Sequence, residues 1–363
     1  MKKLFFIAAM AGAALVSCTK NESVETPEQD VITFAEPVTA LNTKAVEIGA
    51  KYPESQNFSV FAHYYTEAEG GYTKFADGDI YMDDVETAYN SDINGWDSKT
   101  GPSNINYYWP KQGTLTFAAY SPSVVNAKYD AEGIHFEDFT VDTDCTKQFD
   151  LLYSERAYDK TKADMVKDKP YSGVELKFNH ALSSILFTVK TDEDYSSDNF
   201  EIILKKLSIK NVSSKATFNQ KLDDAKNAVT ASVAGNFGWG TYNINETEYV
   251  AYEAAQTLTN VLAYTNNIKV TNPRENDVNN TNLILIPQTW PDRQLYIEYQ
   301  IVNKNVTPNT VVDQTATFDL TSPWERGKRY VYNLTFGFDK IYFDPVVTEW
   351  DEVVVTPGLE IGK

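Results

Sequence analysis

The sequence predicts an all-β protein, and three observations carry this prediction. Aromatic residues make up 13% of the chain, with 23 Tyr and 19 Phe, and aromatic residues favour strands. Short apolar or alternating runs recur with turn residues between them, which is typical of antiparallel β-sandwiches. No long amphipathic helical pattern and no repeat of fixed period interrupts these runs. We therefore expect two tandem antiparallel β-sandwich domains.

Residues 1–18 have the pattern of a lipoprotein signal peptide. Lys2 and Lys3 form a positive start, and Leu4–Ala14 is an apolar run too short to span a bilayer permanently. Small residues then precede Cys18, whose acylation would anchor the cleaved chain because each buried CH₂ contributes ~0.8 kcal/mol. The alternative interpretation is an ordinary secretory signal with an incidental Cys.

The charge of the chain excludes some classes of partner. The formal net charge is -19 at pH 7, and removal of Lys2 and Lys3 with the signal would make it more negative. Nucleic-acid binding needs Lys and Arg against the phosphates, so we expect no nucleic-acid partner. No basic patch is predicted for anionic lipid, so membrane contact would come through the lipid anchor alone. The second cysteine, Cys145, would have no disulfide partner once Cys18 is acylated.

The predicted strands fall into two groups along the chain. The charged stretch Asp159–Pro170 lacks an apolar period, so we place the domain boundary just before Tyr171. The first group comprises Val31–Ala35, Phe58–Tyr65, Thr114–Tyr120 and Phe149–Ser154. The second comprises Val174–Phe178, Ser184–Lys190, Phe200–Lys210, Ala216–Gln220, Leu283–Pro287, Gln294–Val302, Thr315–Leu320, Arg329–Phe338 and Ile341–Phe343. The expected organisation is a signal peptide at 1–18, a tether with a removable first strand at 19–50, an N-terminal sandwich at 51–170 and a C-terminal sandwich at 171–363.

The sequence singles out no catalytic, metal or cofactor site, and an enzyme is the third hypothesis only because the 51 carboxylates leave a glycosidase pair open. None of His63, His135 and His180 stands in a zinc-binding pattern, and no nucleophile elbow or phosphate-cradling loop occurs. Half of a calcium-loop template begins at Asn90, but position twelve is Gly101 where a bidentate Glu is needed, which favours a polar turn. We expect a non-enzymatic protein without cofactors, in which His180 has a structural role at the domain junction.

Several short motifs, taken in order, resemble the fimbrillin (Mfa-like) family of type V pili. Each motif is weak alone, but their order covers almost the full length of the chain. Besides the signal ending at Cys18, they are Ile32-Thr33-Phe34, Thr43-Lys44-Ala45, Phe58-Ser59-Val60-Phe61-Ala62, Tyr108-Trp109-Pro110, Leu115–Pro122, Leu176–Ser183, Ile286-Pro287-Gln288 and Trp324–Tyr332.

The resemblance implies two transthyretin-like β-sandwich domains, export as a lipoprotein, and trimming by an Arg- or Lys-directed protease. Trimming removes the lipid and first strand, and the opened groove receives a strand from a neighbouring subunit. On this basis we expect cleavage at Lys44, where many members have Arg, although a plain loop Lys is the alternative. The expected plug strand comprises Val31, Ile32, Thr33, Phe34 and Ala35.

The expected donor strand lies in the C-terminal tail, within Val346–Thr356. Its candidate residues are Val346, Val347, Trp350, Val353, Val354 and Val355. The alternative is that this tail completes the second domain, with Trp350 in its core.

The expected function is a structural or tip-adhesin subunit of a cell-surface fimbria, first exported as an outer-membrane lipoprotein. The expected partners are other fimbrial subunits, a trypsin-like processing protease, and a host protein or glycan. The competing hypothesis is a monomeric surface lipoprotein that binds a glycan or host protein.

Overall fold

The computed structural model describes residues 30–39, 52–165, 173–220, 238–243, 247–261, 263–264, 282–289 and 292–349. Several predicted features lie outside these residues. They are the signal peptide, Cys18, Lys44, Trp350, Val353, Val354 and Val355.

The all-β prediction is confirmed: strands account for most of the described residues. The first part of the chain contains β1 (Val38–Thr39), β2 (Phe58–Tyr65), β3 (Asp79–Asn90), β4 (Gly95–Asp97), β5 (Thr114–Ser121), β6 (Lys128–Asp130), β7 (Gly133–Thr140), β8 (Leu152–Ser154) and β9 (Ala157–Lys160). The second part contains β10 (Lys177–His180), β11 (Ser183–Thr191), β12 (Phe200–Val212), β13 (Lys215–Asn219), β14 (Trp239–Asn243), β15 (Thr247–Thr257), β16 (Ala263–Tyr264), β17 (Leu283–Leu285), β18 (Gln294–Asn303), β19 (Thr310–Asp319), β20 (Lys328–Phe336) and β21 (Ile341–Glu349).

Helical structure in the described residues is limited to single turns. The α-helical turn α1 covers Gly70–Thr73, and 3-10 turns cover Phe75–Asp77, Cys145–Lys147, Lys162–Asp164 and Tyr195–Asp198. None of these is long and apolar enough to cross a membrane.

The strands form mainly antiparallel sheets. The largest has the order β1-β10-β8-β5-β2-β3-β4, with β9 paired to β5. A second has the order β16-β11-β20-β21, with β17 on β11, and the other two have the orders β15-β12-β18-β19 and β14-β13-β7-β6. The parallel pairings are β1 with β10 and β11 with β20.

The two sheets that contain β20 and β18 pack face to face. The Tyr299 and Phe336 rings are 5.5 Å apart, and the Phe318 and Phe343 rings stack at 5.2 Å. Alternation along β18 places Leu295 and Ile297 in the buried layer between these sheets. This arrangement is that of a β-sandwich, in which the inward side chains of two sheets form the core.

Contacts also join residues on the two sides of the predicted boundary at residue 171. The sheet pairing of β7 with β13 connects Gly133–Thr140 to Lys215–Asn219. β10 belongs to the first sheet, although it follows the boundary in sequence. Each of the two clusters of buried apolar residues contains residues from both sides of the boundary. The first cluster includes Phe61 and Phe336, and the second includes Ile32 and Phe178. Residues 166–172 are not among those described, and the division into two domains stays a prediction.

Candidate functional site: the slot around residues 30–39

Residues 30–39, called here the N-terminal segment, run between two walls of backbone. On the first wall, the Phe34 N–H donates to the Trp96 carbonyl at 2.8 Å, and the Trp96 N–H donates to the Phe34 carbonyl at 3.0 Å. The Ile32 N–H donates to the Tyr107 carbonyl at 2.8 Å. These bonds attach the segment to β4 and to the chain that leads into β5.

The second wall comprises Gly173 to Phe178. The Val174 N–H donates to the Thr33 carbonyl at 2.8 Å, and the Ala35 N–H donates back to the Val174 carbonyl at 3.0 Å. Further along, the Val38 N–H donates to the Leu176 carbonyl at 3.2 Å, and β1 pairs in parallel with β10. The segment therefore has a backbone partner on both sides.

This position closes the first sheet. β4 is one end of the sheet order and β10, apart from β1 itself, is the other. Phe34 bridges to Trp96 in β4 and to Val174 beside β10. Without the segment, both ends would present unpaired N–H and C=O groups, which is the property that makes sheet edges bind extended chains. We call the space between the two walls the slot.

Side chains of the segment fill the core under the slot. Ile32, Phe34 and Ala35 are buried, each at most 2% exposed. The Phe34 ring meets the rings of Phe58 and Phe117 edge to face, with centroids 5.9 and 5.7 Å away. Full burial of a Phe side chain contributes about 1.5–3 kcal/mol. Loss of the segment would remove this contribution and expose the apolar side chains that Phe34 contacts.

The start of the segment is held by contacts nearer the protein surface. The Trp109 N–H donates to the Asp30 carbonyl at 2.9 Å. The Asp30 carboxylate forms an ion pair with Lys162, in which both side chains are exposed. Exposed ion pairs typically contribute below about 1 kcal/mol, so this pair adds little to retention of the segment.

The chain returns to the slot at Tyr52. Its ring is buried and lies flat against that of Phe178, with centroids 6.3 Å apart. The Tyr52 hydroxyl lies 2.7 Å from the Ser121 hydroxyl, and its N–H donates to the Glu36 carboxylate at 3.2 Å. The predicted cleavage residue Lys44 lies in sequence between Thr39 and Tyr52, outside the described residues.

The predicted plug residues Val31–Ala35 all lie in the slot. They form isolated bridges at Val31 and Phe34, and the continuous strand is Val38–Thr39, later than predicted. Two residues on the walls, Trp96 and Gly173, were not singled out from the sequence. The sequence around a wall residue does not reveal which distant segment that residue contacts.

The predicted donor residues Val346 and Val347 lie elsewhere, in β21 at the edge of its sheet. They pair with Val331 and Tyr330 of β20, and their side chains are 43% and 52% exposed. Among the described residues, no strand pairs with the other side of β21. This part of the tail completes a sheet of the second half of the chain.

Two histidines elsewhere in the described ranges each pair with one carboxylate. Within the described ranges, no three His, Cys, Asp or Glu side chains are placed to hold a metal ion. His180 lies against Asp150 in the interior, and His135 against Asp130 near the surface, each at 2.7 Å. Asn90 ends β3, and the half calcium template leads through a turn into β4.

A family model described as fimbrillin-like matches residues 43–350. The chain belongs to the fimbrillin-like family. The matched region of this fimbrillin-like chain begins after the N-terminal segment and covers the walls of the slot.

One solved structure is similar to the fimbrillin-like chain in fold, and two others align with lower scores. A fimbrial protein from Bacteroides vulgatus ATCC 8482 aligns with a TM-score of 0.58 and 17% identity, covering 88% of this chain and 99% of that one. A candidate cell adhesion protein from Bacteroides uniformis ATCC 8492 aligns with a TM-score of 0.45 and 15% identity, over 90% and 99% of the two chains. Another from Bacteroides ovatus ATCC 8483 has values of 0.47 and 15%, over 89% and 98%. No curated protein matches the chain.

Proposed function

We propose that this protein is a structural or tip subunit of a cell-surface fimbria that assembles by strand exchange. It is exported as a lipoprotein acylated on Cys18 and cut after Lys44 by a trypsin-like protease. The N-terminal segment then leaves, and an extended strand of a neighbouring subunit enters the slot. Family membership supports the fimbrial role, and the carrying observation is that the N-terminal segment hydrogen-bonds to both ends of the first sheet.

Strand exchange is favoured because an empty slot is energetically unfavourable. A vacated slot leaves the buried surface around Phe58 and Phe117 without cover and two backbone walls without partners. An extended segment restores both, since its backbone completes the ladder and its alternate side chains fill the core. Because donor and acceptor are different surfaces, the contact propagates from subunit to subunit and forms a filament.

The donor in this proposal comes from the C-terminal tail. Val346 and Val347 already pair with β20, so donating them would require β21 to leave its sheet. We therefore place the centre of the donor at Val353, Val354 and Val355, whose β-branched side chains suit a strand. Trp350 would link this donor to β21.

Cleavage is tested by Lys44→Ala, with Lys51→Ala as the matched control in the same connection. Each purified chain is treated with a Lys-directed protease and examined by N-terminal sequencing and electron microscopy. We expect Lys51→Ala and the unaltered chain to be cut after Lys44 and to form filaments. Lys44→Ala should remain monomeric and folded. Filaments from Lys44→Ala would show that cleavage occurs elsewhere or is unnecessary.

The donor is tested by deletion of Asp351–Lys363. The shortened subunit should fold and should cap filaments of the full-length protein, because it can accept a strand but cannot donate one. If the deletion unfolds the protein, the tail is part of the core. If the full-length chain stays monomeric after cleavage and keeps its lipid, a surface lipoprotein that binds a glycan or host protein becomes the better hypothesis.

Lipidation is tested separately with labelled fatty acid in cells. Label should enter the unaltered chain and be absent from Cys18→Ala, which should accumulate as an unprocessed precursor. Incorporation of label into Cys18→Ala would exclude Cys18 as the acylated residue.

A further inference from the structure

We propose that Gly173 is the specificity-determining residue of the slot, because its missing side chain leaves the space through which an occupying backbone passes. The inference applies first to the N-terminal segment. Its extension to a donated strand rests on the function proposed above.

The geometry at Gly173 is unusual in two ways. Its φ is +143°, a conformation that L residues with a side chain rarely adopt. A Cβ built there would lie 2.6 Å from the backbone N and C atoms of Phe34 and from the carbonyl carbon of Thr33. These atoms are backbone, so the contact cannot be relieved by rotation of a flexible side chain.

The opposite wall prevents the segment from moving away. Phe34 exchanges two hydrogen bonds with Trp96, at 2.8 and 3.0 Å. A shift away from position 173 would press the segment against Trp96 and compress both of these bonds, and it would lengthen the 2.8 Å bond from the Val174 N–H to the Thr33 carbonyl. Between Gly173 and Trp96, the slot therefore has room for one extended backbone and for no side chain from position 173.

The contacts opposite Gly173 also restrict which type of residue can occupy the slot at that position. The residue opposite Gly173 needs an N–H for the Trp96 carbonyl, which excludes proline. It also needs a large apolar side chain, because Phe34 fills the space between Phe58 and Phe117. We infer that the slot accepts extended segments with a large apolar, non-proline residue at this register position. Pro357 of the tail is therefore excluded from it.

The test uses the full chain cut after Lys44 and a fluorescent peptide with the sequence of residues 30–39. Uptake is compared between Gly173→Ala and Gly240→Ala. Gly240 is the matched control, because a Cβ there meets no atom within 4 Å. Because a Cβ at position 173 would meet backbone atoms of the bound segment, Gly173→Ala should bind the peptide about tenfold more weakly or worse, while Gly240→Ala binds as the unaltered chain does. A peptide with Phe34→Pro should not bind to the unaltered chain.

A second measurement separates the slot from a general defect in folding. Thermal unfolding of Gly173→Ala is measured before cleavage and after the segment has been removed. We expect a lower midpoint than Gly240→Ala in both states, because the φ of +143° strains any side chain at position 173, and a larger deficit in the uncut protein, where the Cβ also meets the segment. Equal destabilisation in both states, or equal peptide uptake by the two variants, overturns the inference alone. Failure of the unaltered chain to take up the peptide overturns the proposed strand exchange as well.

Discussion

The Nδ1 atom of His180 lies 2.7 Å from Oδ2 of Asp150, and both side chains are buried. Asp150 precedes β8, and His180 ends β10, so the pair fixes the point where the chain leaves the first sheet. The neighbouring Ala181 N–H donates to the Leu151 carbonyl at 2.8 Å, and the Trp239 indole N–H donates to the Ala181 carbonyl at 2.6 Å. The structural role expected for His180 at this junction agrees with these contacts.

Asp150→Ala should destabilise the protein strongly. Removal of one partner of a buried pair typically costs about 3–5 kcal/mol, because the other polar group loses this partner while it stays buried. The free energy of unfolding in urea is the measurement. Asp130→Ala is the control, since Asp130 contacts His135 at the same 2.7 Å but is 62% exposed, and its loss should cost below about 1 kcal/mol. Similar effects of the two substitutions would contradict the role assigned to burial.

Stability should depend on the protonation of His63. Its ring stacks on Phe75 at 4.8 Å, and the Arg156 guanidinium lies 3.7 Å from the centre of the same Phe75 ring. Burial lowers the pKa of His63 below its usual 6.5, the Arg156 charge lowers it further, and Asp83 acts in the opposite direction. The folded protein therefore favours neutral His63.

The unfolded chain takes up this proton first as the pH falls, so stability should be lost as the pH decreases through about 6.5. Urea midpoints at pH 7.5 and 5.5 measure the effect. His63→Phe keeps an aromatic ring on Phe75 but cannot be protonated, and should lose less stability over this interval. His63 is only partly buried, so we expect a difference of at most about 1 kcal/mol. An equal loss in both proteins would rule out His63 as the titrating group.

The Cys145 thiol should be unreactive while the protein is folded. It is buried, its Sγ atom lies 3.3 Å from the Val250 carbonyl, and burial together with Asp144 raises the pKa to about 12. The reactive thiolate is therefore scarce at neutral pH. In a Cys18→Ala chain, a thiol reagent should label Cys145 only in denaturant. Rapid labelling of the native protein would show that the site opens.

Phe34→Ala should weaken retention of the N-terminal segment. Truncation of a buried Phe typically costs 3–5 kcal/mol. The rate at which the segment leaves after cleavage at Lys44, followed by mass spectrometry of the released peptide, should rise more than tenfold. Thr33→Ala is the control, since Thr33 is only half-buried and its bond to Val174 uses the backbone. Equal release from both variants would mean that the backbone alone retains the segment.

The sequence predicts strands well where the alternation of side chains is regular. β2 has the predicted bounds Phe58–Tyr65, and β18 differs from the prediction by one residue. β3 was missed because its alternation is broken: Met82 and Val85 both face the core, although they are three positions apart and regular alternation would place them on opposite faces. The break lies at Asp84, whose φ is +50°, and the Tyr120 hydroxyl donates to its carboxylate at 2.6 Å.

The candidate site was predictable in part. An apolar run followed by a linker of polar and small residues that contains Lys44 identified the N-terminal segment, since both features are local. The walls of the slot are not local: Trp96, Tyr107 and Gly173 meet the segment only through the order of strands in the sheet. A glycine in a single sequence also gives no sign of the backbone that will pass beside it.

The two walls of the slot have a mechanical consequence. A strand at an open edge can be peeled away from one end, so that its hydrogen bonds break one after another. A pull along the axis of a strand between two walls loads the bonds to Trp96 and Tyr107 together with those to Val174 and Leu176, all in shear. Resistance to tension is then shared among these bonds, and extraction requires many of them to fail at once.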